Sequence, residues 1–361
     1  MAKAFIKPIE LWIRRHFNRH IGAQRIPIVV SSSQLAIPVE DPVRILVLRQ
    51  DRIGDVLVSV PVIRALRERF PASTIDMVMS PNNITVRDAV APFINDVIVH
   101  HKGLPGLLRT QRELRSRRYD VVIDLMDNAS STSALLIRAS RARYAVGIDK
   151  ENRGVYTHVV PLADRASVHI VDRIARLLWP FAIDPTAIDL HLAFPLRDQD
   201  VHNAYATVRA PSSAVKILGV NISGSDVSRM YSEEGIIAIV NHCMASHTQI
   251  ETIVMGAAQH REMQERIARA TGARAIPPTQ SFGAWAANIA QLDAFFTPDT
   301  SSVHLAAAFN IPSVVLYVHD RADLMPWYPY DTPCFPVETT TGTIAEIPIR
   351  DILRAVDQLL S

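Results

Sequence analysis

Residues 49 to 57 read RQDRIGDVL, with two carboxylates, Asp51 and Asp55, four residues apart among two guanidiniums, Arg49 and Arg52. A carboxylate can take a proton or cap a helix, and a guanidinium presents a planar fork of donors to an anion. Gly54, just ahead of Asp55, lets the backbone come close to a bound group. A second cluster, Asp299, Thr300, Ser301 and Ser302, falls in PDTSSVHLAAA, where a turn enters a helix. Hydroxyls and free N–H groups at a helix start suit a phosphate, and His304 in the first turn would stand near it. Asp299 or Thr300 would serve equally as a plain N-cap. A third loop, NISGSDVSRMY, holds Ser223 and Arg229.

The elements that position these loops follow a regular alternation. From Val43, short β-branched runs alternate with amphipathic segments, as in parallel βαβ units. Strands are expected near 43–48, 74–79, 97–99, 120–124 and 144–147, with helices near 56–69, 107–116, 130–140 and 167–178. The pattern restarts after RAPSSAVK, with strands near 216–221, 250–255, 293–297 and 313–317 and helices near 232–246, 258–270, 282–291 and 301–309. The fold class is therefore α/β, with two Rossmann-like domains at 43–205 and 206–345. A final helix at 346–361 is expected to cross back and brace the first domain. Ligands in such sheets bind beyond the carboxyl ends of the strands, which is where the three loops lie. None of them is GxGxxG or GxxxxGK[ST], which disfavours a dinucleotide dehydrogenase and a P-loop ATPase.

Residues 1–42 differ. The first 25 carry six Lys or Arg against one Glu, interleaved with Phe5, Trp12 and Phe17, the make-up of a basic amphipathic helix. Such a helix can lie in an anionic membrane interface or pack on the chain's own surface. Residues 26–42 read as a linker. Residues 1–180 hold 27 Lys+Arg against 17 Asp+Glu, and the remainder 11 against 19. A basic front half suggests an anionic partner; with few interleaved aromatics, nucleic acid is not expected. No apolar run is long enough to span a bilayer. Cys243 and Cys334 lie far apart with no zinc-ligand spacing, which fits a reducing, cytoplasmic compartment.

Taken together, three segments resemble glycosyltransferase family 9, the ADP-heptose:lipopolysaccharide heptosyltransferases: RILVLRQDRIGDVLVSVPVIRALRERFP, GVNISGSDVSRMY and PDTSSVHLAAAFNIPSVVLY. The resemblance spans about residues 43 to 330, and its most specific part is His304-Leu-Ala-Ala-Ala. It implies a GT-B fold, two Rossmann-like domains facing across a cleft, with the acceptor bound mainly by the first and a nucleotide sugar mainly by the second. It implies inverting transfer of heptose from ADP-heptose to a lipopolysaccharide core or related surface glycan, with no metal and no further cofactor. Asp55 would be the general base. Ser223, Arg229, Gly256, Glu262, Asp299, Thr300, Ser301, Ser302 and His304 would bind the donor. Arg49, Arg52, Asn128, Ser130 and Ser131 would meet the acceptor, with Asp51 orienting an arginine and Lys150 among several cations facing acceptor phosphates.

Partners on this reading are the nucleotide sugar, an anionic glycolipid and the inner face of the cytoplasmic membrane. Some positions depart from the family pattern. Arg229 and Tyr231 stand where the family usually has Lys and Trp, Ser301 stands for Gly, and His260 and Arg261 occupy a region that commonly offers Glu. The rival readings are a GT-B transferase or epimerase using another nucleotide sugar, and a sugar-nucleotide-binding scaffold without turnover.

Overall fold

The computed structural model of the protein describes residues 25–212 and 216–361. The basic amphipathic helix expected over residues 1–25 thus lies, but for Arg25, outside the described residues. The chain divides into a first unit ending at Leu190 and a second, His191–Ser361.

The first unit is built on a seven-stranded, wholly parallel sheet. Its strands are β1 (Ile28–Val29), β2 (Arg44–Leu48), β3 (Thr74–Met79), β4 (Asp96–Val99), β5 (Val121–Asp124), β6 (Tyr144–Ile148) and β7 (His158–Val160), in the order β1-β7-β6-β5-β2-β3-β4. Parallel sheets are covered on both faces, so their central strands read as unbroken apolar runs. Ile45, Leu46, Val47 and Leu48 of β2 are all fully buried. The chain winds from β2 towards β4 on one side and from β5 towards β7 on the other. The strand order therefore reverses between β2 and β5, and sheets of this kind bind ligands beyond the carboxyl ends at such a point.

Residues 26–42, expected to be a linker, instead extend this sheet. The Ile28 and Val30 N–H groups donate to the Thr157 and Val159 carbonyls at 2.9 and 2.8 Å, and Val30 and Ile37 are fully buried. β1 and β7, at two and three residues, are too short for any alternation to be visible in the sequence.

The second unit repeats the plan with β8 (Lys216–Asn221), β9 (Ile250–Met255), β10 (Arg274–Ala275), β11 (Ala294–Pro298), β12 (Ser313–Val318) and β13 (Cys334–Thr339), all parallel in the order β10-β9-β8-β11-β12-β13. Here the order reverses between β8 and β11. β13 escaped the sequence reading because it contains Pro336, which a sheet tolerates on an edge strand, where β13 lies.

Two boundaries shift. Residues 191–205, read as the end of the first domain, belong to the second, where Phe194 packs its ring 5.7 Å from that of Phe282. The last helix, Ile349–Leu360, expected to cross back, is built into the second unit. Its Ile352, Ala355 and Val356 are buried in one cluster with Ile239, Val240 and Cys243 of helix Glu233–Ser246.

Candidate active site

The loop leaving β2 at the first reversal point begins with Arg49, which is 1% exposed. Its charge has little water to solvate it and must be met by protein groups. Nε donates to the Asp55 carbonyl at 2.8 Å, and Nη1 donates to the Leu125 carbonyl at 2.9 Å and to Asp51 Oδ2 at 3.2 Å. Nη2 lies 3.5 Å from Asp55 Oδ1. One guanidinium thus ties the loops after β2 and β5 to the start of the next helix. Asn83, also fully buried, donates from Nδ2 to the Arg49 carbonyl at 2.9 Å while its Oδ1 accepts the Ser80 N–H at 2.8 Å.

That helix, Ile53–Arg69, starts three residues earlier than expected. Asp55 is therefore inside its first turn, where Oδ2 accepts the Arg52 N–H at 3.1 Å. The carboxylate caps the helix and is also aimed by Arg49. The side chains of Asp51 and Asp55 remain 20% and 13% exposed. Burial pushes the Asp51 carboxyl up to about 7; Arg49 opposes this, and the Asp55 and Asp124 charges add to it.

Asp124, fully buried at the end of β5, is held by Lys150 Nζ at 3.0 Å and the Tyr156 hydroxyl at 2.6 Å. Lys150 also donates to the Met126 carbonyl. A Cβ at Gly147 would lie 2.4 Å from the Tyr156 ring, so the glycine of the Gly-Ile-Asp stretch leaves the room that ring occupies.

At the reversal point of the second sheet, Asn221 Nδ2 donates to Thr297 Oγ1 at 2.9 Å, linking the ends of β8 and β11. Ser223 Oγ accepts the Ala257 N–H at 2.8 Å and lies 2.8 Å from His260 Nδ1. A Cβ on Gly256 would lie 2.9 Å from Ser223 Oγ and from Ile222, so glycine permits this approach. Arg229 Nε lies 3.2 Å from Asp299 Oδ2, and Nη1 lies 3.4 Å from Asp226 Oδ2, with the side chain 26% exposed. A hydrogen bond from the Ser228 hydroxyl is the main cause holding the Asp226 carboxyl below its usual range. The structure thus brings Arg229 and Asp299, far apart in sequence, into one ion pair.

Several expected roles change. Arg49, assigned to the acceptor, is an internal tie. Lys150, also read as facing acceptor phosphates, is buried against Asp124. Ser130 is the N-cap of helix Ser131–Ser140, accepting the Ser133 N–H at 3.2 Å. Asn128 Oδ1 accepts from Arg165 Nη2 at 3.3 Å, Ser131 is half-buried, and Arg52 is exposed. Ser302, read as offering a free N–H and hydroxyl, is buried. Its N–H donates to Thr300 Oγ1 at 3.2 Å and its Oγ accepts from Trp285 Nε1 at 3.0 Å. Ser301 has φ −58°, a right-handed conformation that needs no glycine. Thr300 and Ser301 stay half-buried, Glu262 is exposed, and His304 is buried with its ring 6.1 Å from that of Trp327.

The sequence reading missed Asp124, Tyr156, Asn221 and Thr297 as site-forming residues. A signal existed for two of them: Asp124 and Asn221 are polar residues that end apolar strands beside a reversal point.

The family model described as glycosyltransferase family 9 (heptosyltransferase) matches residues 107–340. The matched stretch contains Arg229, Asp299 and His304 but begins after Asp55. Lipopolysaccharide heptosyltransferase 3 of Escherichia coli strain K12 is 22% identical over 342 residues, covering 85% of this chain and 95% of its own. The crystal structure of a family 9 glycosyl transferase from Veillonella parvula superposes with a TM-score of 0.73 at 20% identity, covering 91% of this chain and 99% of its own. Escherichia coli heptosyltransferase WaaC, solved with ADP-2-deoxy-2-fluoro heptose, gives 0.64 at 18% identity, with 87% and 99% covered.

The raised Asp51 carboxyl has a thermodynamic consequence. A folded-state value lifted from 3.8 to about 7 gives a stabilising contribution that is complete below the lower value and lost as pH rises to the upper one. Asp51→Asn lacks this contribution. The melting temperature of the variant minus that of wild type should therefore rise between pH 4 and pH 8, whatever its sign at either end. A difference that stays flat or falls across that range, in thermal unfolding followed by circular dichroism, would contradict the assignment.

Proposed function

We propose a reaction for this chain from the premise that it belongs to glycosyltransferase family 9: transfer of heptose from ADP-heptose to a hydroxyl of a lipopolysaccharide-type core, with inversion at the anomeric carbon. Membership makes it a glycosyltransferase of the heptosyltransferase family in lipopolysaccharide biosynthesis. The observation that carries the finer reading is that each sheet presents, at its own reversal point, the kind of group the reaction requires there. The first has a held carboxylate, Asp55, and the second a half-buried cation, Arg229. The WaaC structure with a fluorinated ADP-heptose supports the choice of donor.

In this mechanism the acceptor oxygen forms a bond to the anomeric carbon as the bond from that carbon to the diphosphate oxygen breaks. Asp55 takes the hydroxyl proton, and the bonding electrons leave with ADP. A base must already point at the proton it removes, and two contacts orient Asp55: the Arg52 N–H and Arg49. Charge developing on the diphosphate is met by Arg229, whose fork can engage two phosphate oxygens, with Asp299 holding the guanidinium until then. The half-buried Thr300 and Ser301 border the same turn. Ser223, Gly256, His260 and Glu262 form the nucleoside side. Exposed Arg52 faces the anionic acceptor. No catalytic metal enters this scheme.

The acceptor on this reading is an anionic glycolipid at the inner face of the cytoplasmic membrane, and the basic segment 1–25 brings the enzyme to it. Among the described residues no helix is long and apolar enough to cross a membrane.

Three outcomes follow. Asp55→Asn keeps a helix cap but removes the proton acceptor, so turnover should fall about 10²- to 10⁴-fold while ADP affinity is retained; a well-folded variant with near-wild-type turnover defeats the base assignment. Arg229→Ala should weaken ADP binding about ten- to hundredfold, equivalent to about 1.5 to 3 kcal/mol for a charge-assisted contact, and equal calorimetric affinities would remove Arg229 from the donor site. Deleting residues 1–25 should reduce co-sedimentation with anionic vesicles, and raised salt should weaken it in the intact chain; unchanged sedimentation after deletion would exclude this segment as the membrane contact.

A further inference from the structure

A cluster with no part in the transfer chemistry lies at the other end of the second unit. His242 is one turn before the end of helix Glu233–Ser246, His247 is its C-cap, and Asp357 is in the terminal helix Ile349–Leu360. His242 Nε2 lies 2.7 Å from Asp357 Oδ1, and His247 Nε2 lies 2.9 Å from the same oxygen. The three ligand-type atoms fall within 4.8 Å of one another. A helix that follows a parallel strand runs back along the sheet. Its C-terminal end therefore sits at the strands' amino edge, opposite the loops that hold Arg229 and Asp299.

We propose that His242, His247 and Asp357 form a binding site for a divalent transition metal, with Zn²⁺ the best match. Four observations carry this. Two imidazole nitrogens and one carboxylate oxygen are a zinc-type ligand set, whereas calcium and magnesium take oxygen ligands. Both rings aim their Nε2 atoms at one oxygen, so the three ligand atoms already converge, and the small outward movement needed to seat an ion between them is a side-chain adjustment.

The scaffold is also fixed. The His247 N–H donates to the Cys243 carbonyl and the Ile250 N–H to the His247 carbonyl, each at 2.9 Å. The two helices share the buried cluster of Ile239, Val240, Cys243, Ile352 and Val356. Finally, the side chains are 27%, 17% and 48% exposed, so an ion can enter and water can fill the fourth position. The bound ion would clamp the terminal helix to helix Glu233–Ser246. Sequence spacing did not show the site because its third ligand lies 110 residues beyond His247.

The test uses the full chain, treated with chelator, exchanged into metal-free buffer and titrated with Zn²⁺ by calorimetry and with Co²⁺ by visible absorption. Wild type should bind one equivalent with the d–d bands of a four- or five-coordinate ion, and saturating Zn²⁺ should raise its melting temperature. His247→Asn and Asp357→Asn should each lose that equivalent or bind it at least about tenfold more weakly, with the thermal shift gone. If His247→Asn fails to fold by circular dichroism, His242→Asn, at the more exposed ring, carries the same test. Absence of a stoichiometric equivalent in wild type overturns the proposal and leaves a hydrogen-bonded clamp. Full retention of the equivalent, its bands and the thermal shift in a folded variant overturns it by placing the ligands elsewhere. None of these readouts depends on turnover, so failure here and failure of the heptosyltransferase reading are separable.

Discussion

A guanidinium almost wholly withdrawn from water is the constraint on which the first unit's loop geometry depends. Leaving a buried charge without partners is among the more costly defects a fold can carry, so the chain around Arg49 is arranged to meet it. Two carbonyls and two carboxylates converge on it, from the turn after β2, from the first turn of the next helix and from the residue after β5. The Asp51 and Asp55 carboxylates are thereby held at 3.2 and 3.5 Å from the one guanidinium. A lysine could not substitute, because its single nitrogen lacks the planar fork that reaches Asp51, Leu125 and Asp55 from three sides.

The second unit solves a related problem with a looser pair. Arg229 and Asp299 each keep about a quarter of their side chain exposed, and their contact joins a loop after β8 to the turn after β11. A partly solvated ion pair contributes little to stability and can be exchanged for another anion at small cost. The two units thus differ in kind at matching places in their topology. One has a charge locked into the fold, and the other has a charge in a partly solvated pair.

How much of this was legible in the sequence depended on the range of the interaction. The nine strands of four or more residues with continuous apolar character were readable because a parallel sheet imposes that pattern locally. The two-residue pieces β1 and β10 were not, since their pairing is decided by partners far away in the chain. The same division runs through the site. The loops that hold Asp55 and Arg229 are legible as strand ends, but Arg49 reads as an acceptor-binding cation because nothing in RQDRIGD records that the Leu125 carbonyl would accept from its guanidinium and that Asn83 would bind its main-chain carbonyl. Ser130 and Ser302 illustrate the converse error. Polar residues at a helix start fit a ligand and a cap equally well, and only the observed partners decide between them.

The right-handed backbone at Ser301 also bears on the unfolded chain. With a glycine at this position, the denatured polypeptide would sample a broad range of conformations that must all be surrendered when the turn forms. At φ −58° a side chain adds no strain in the folded turn, and it narrows what the unfolded chain can explore. The turn after β11 is therefore easier to order than one with glycine at this position, and Ser301→Gly would loosen the denatured state without relaxing the native one.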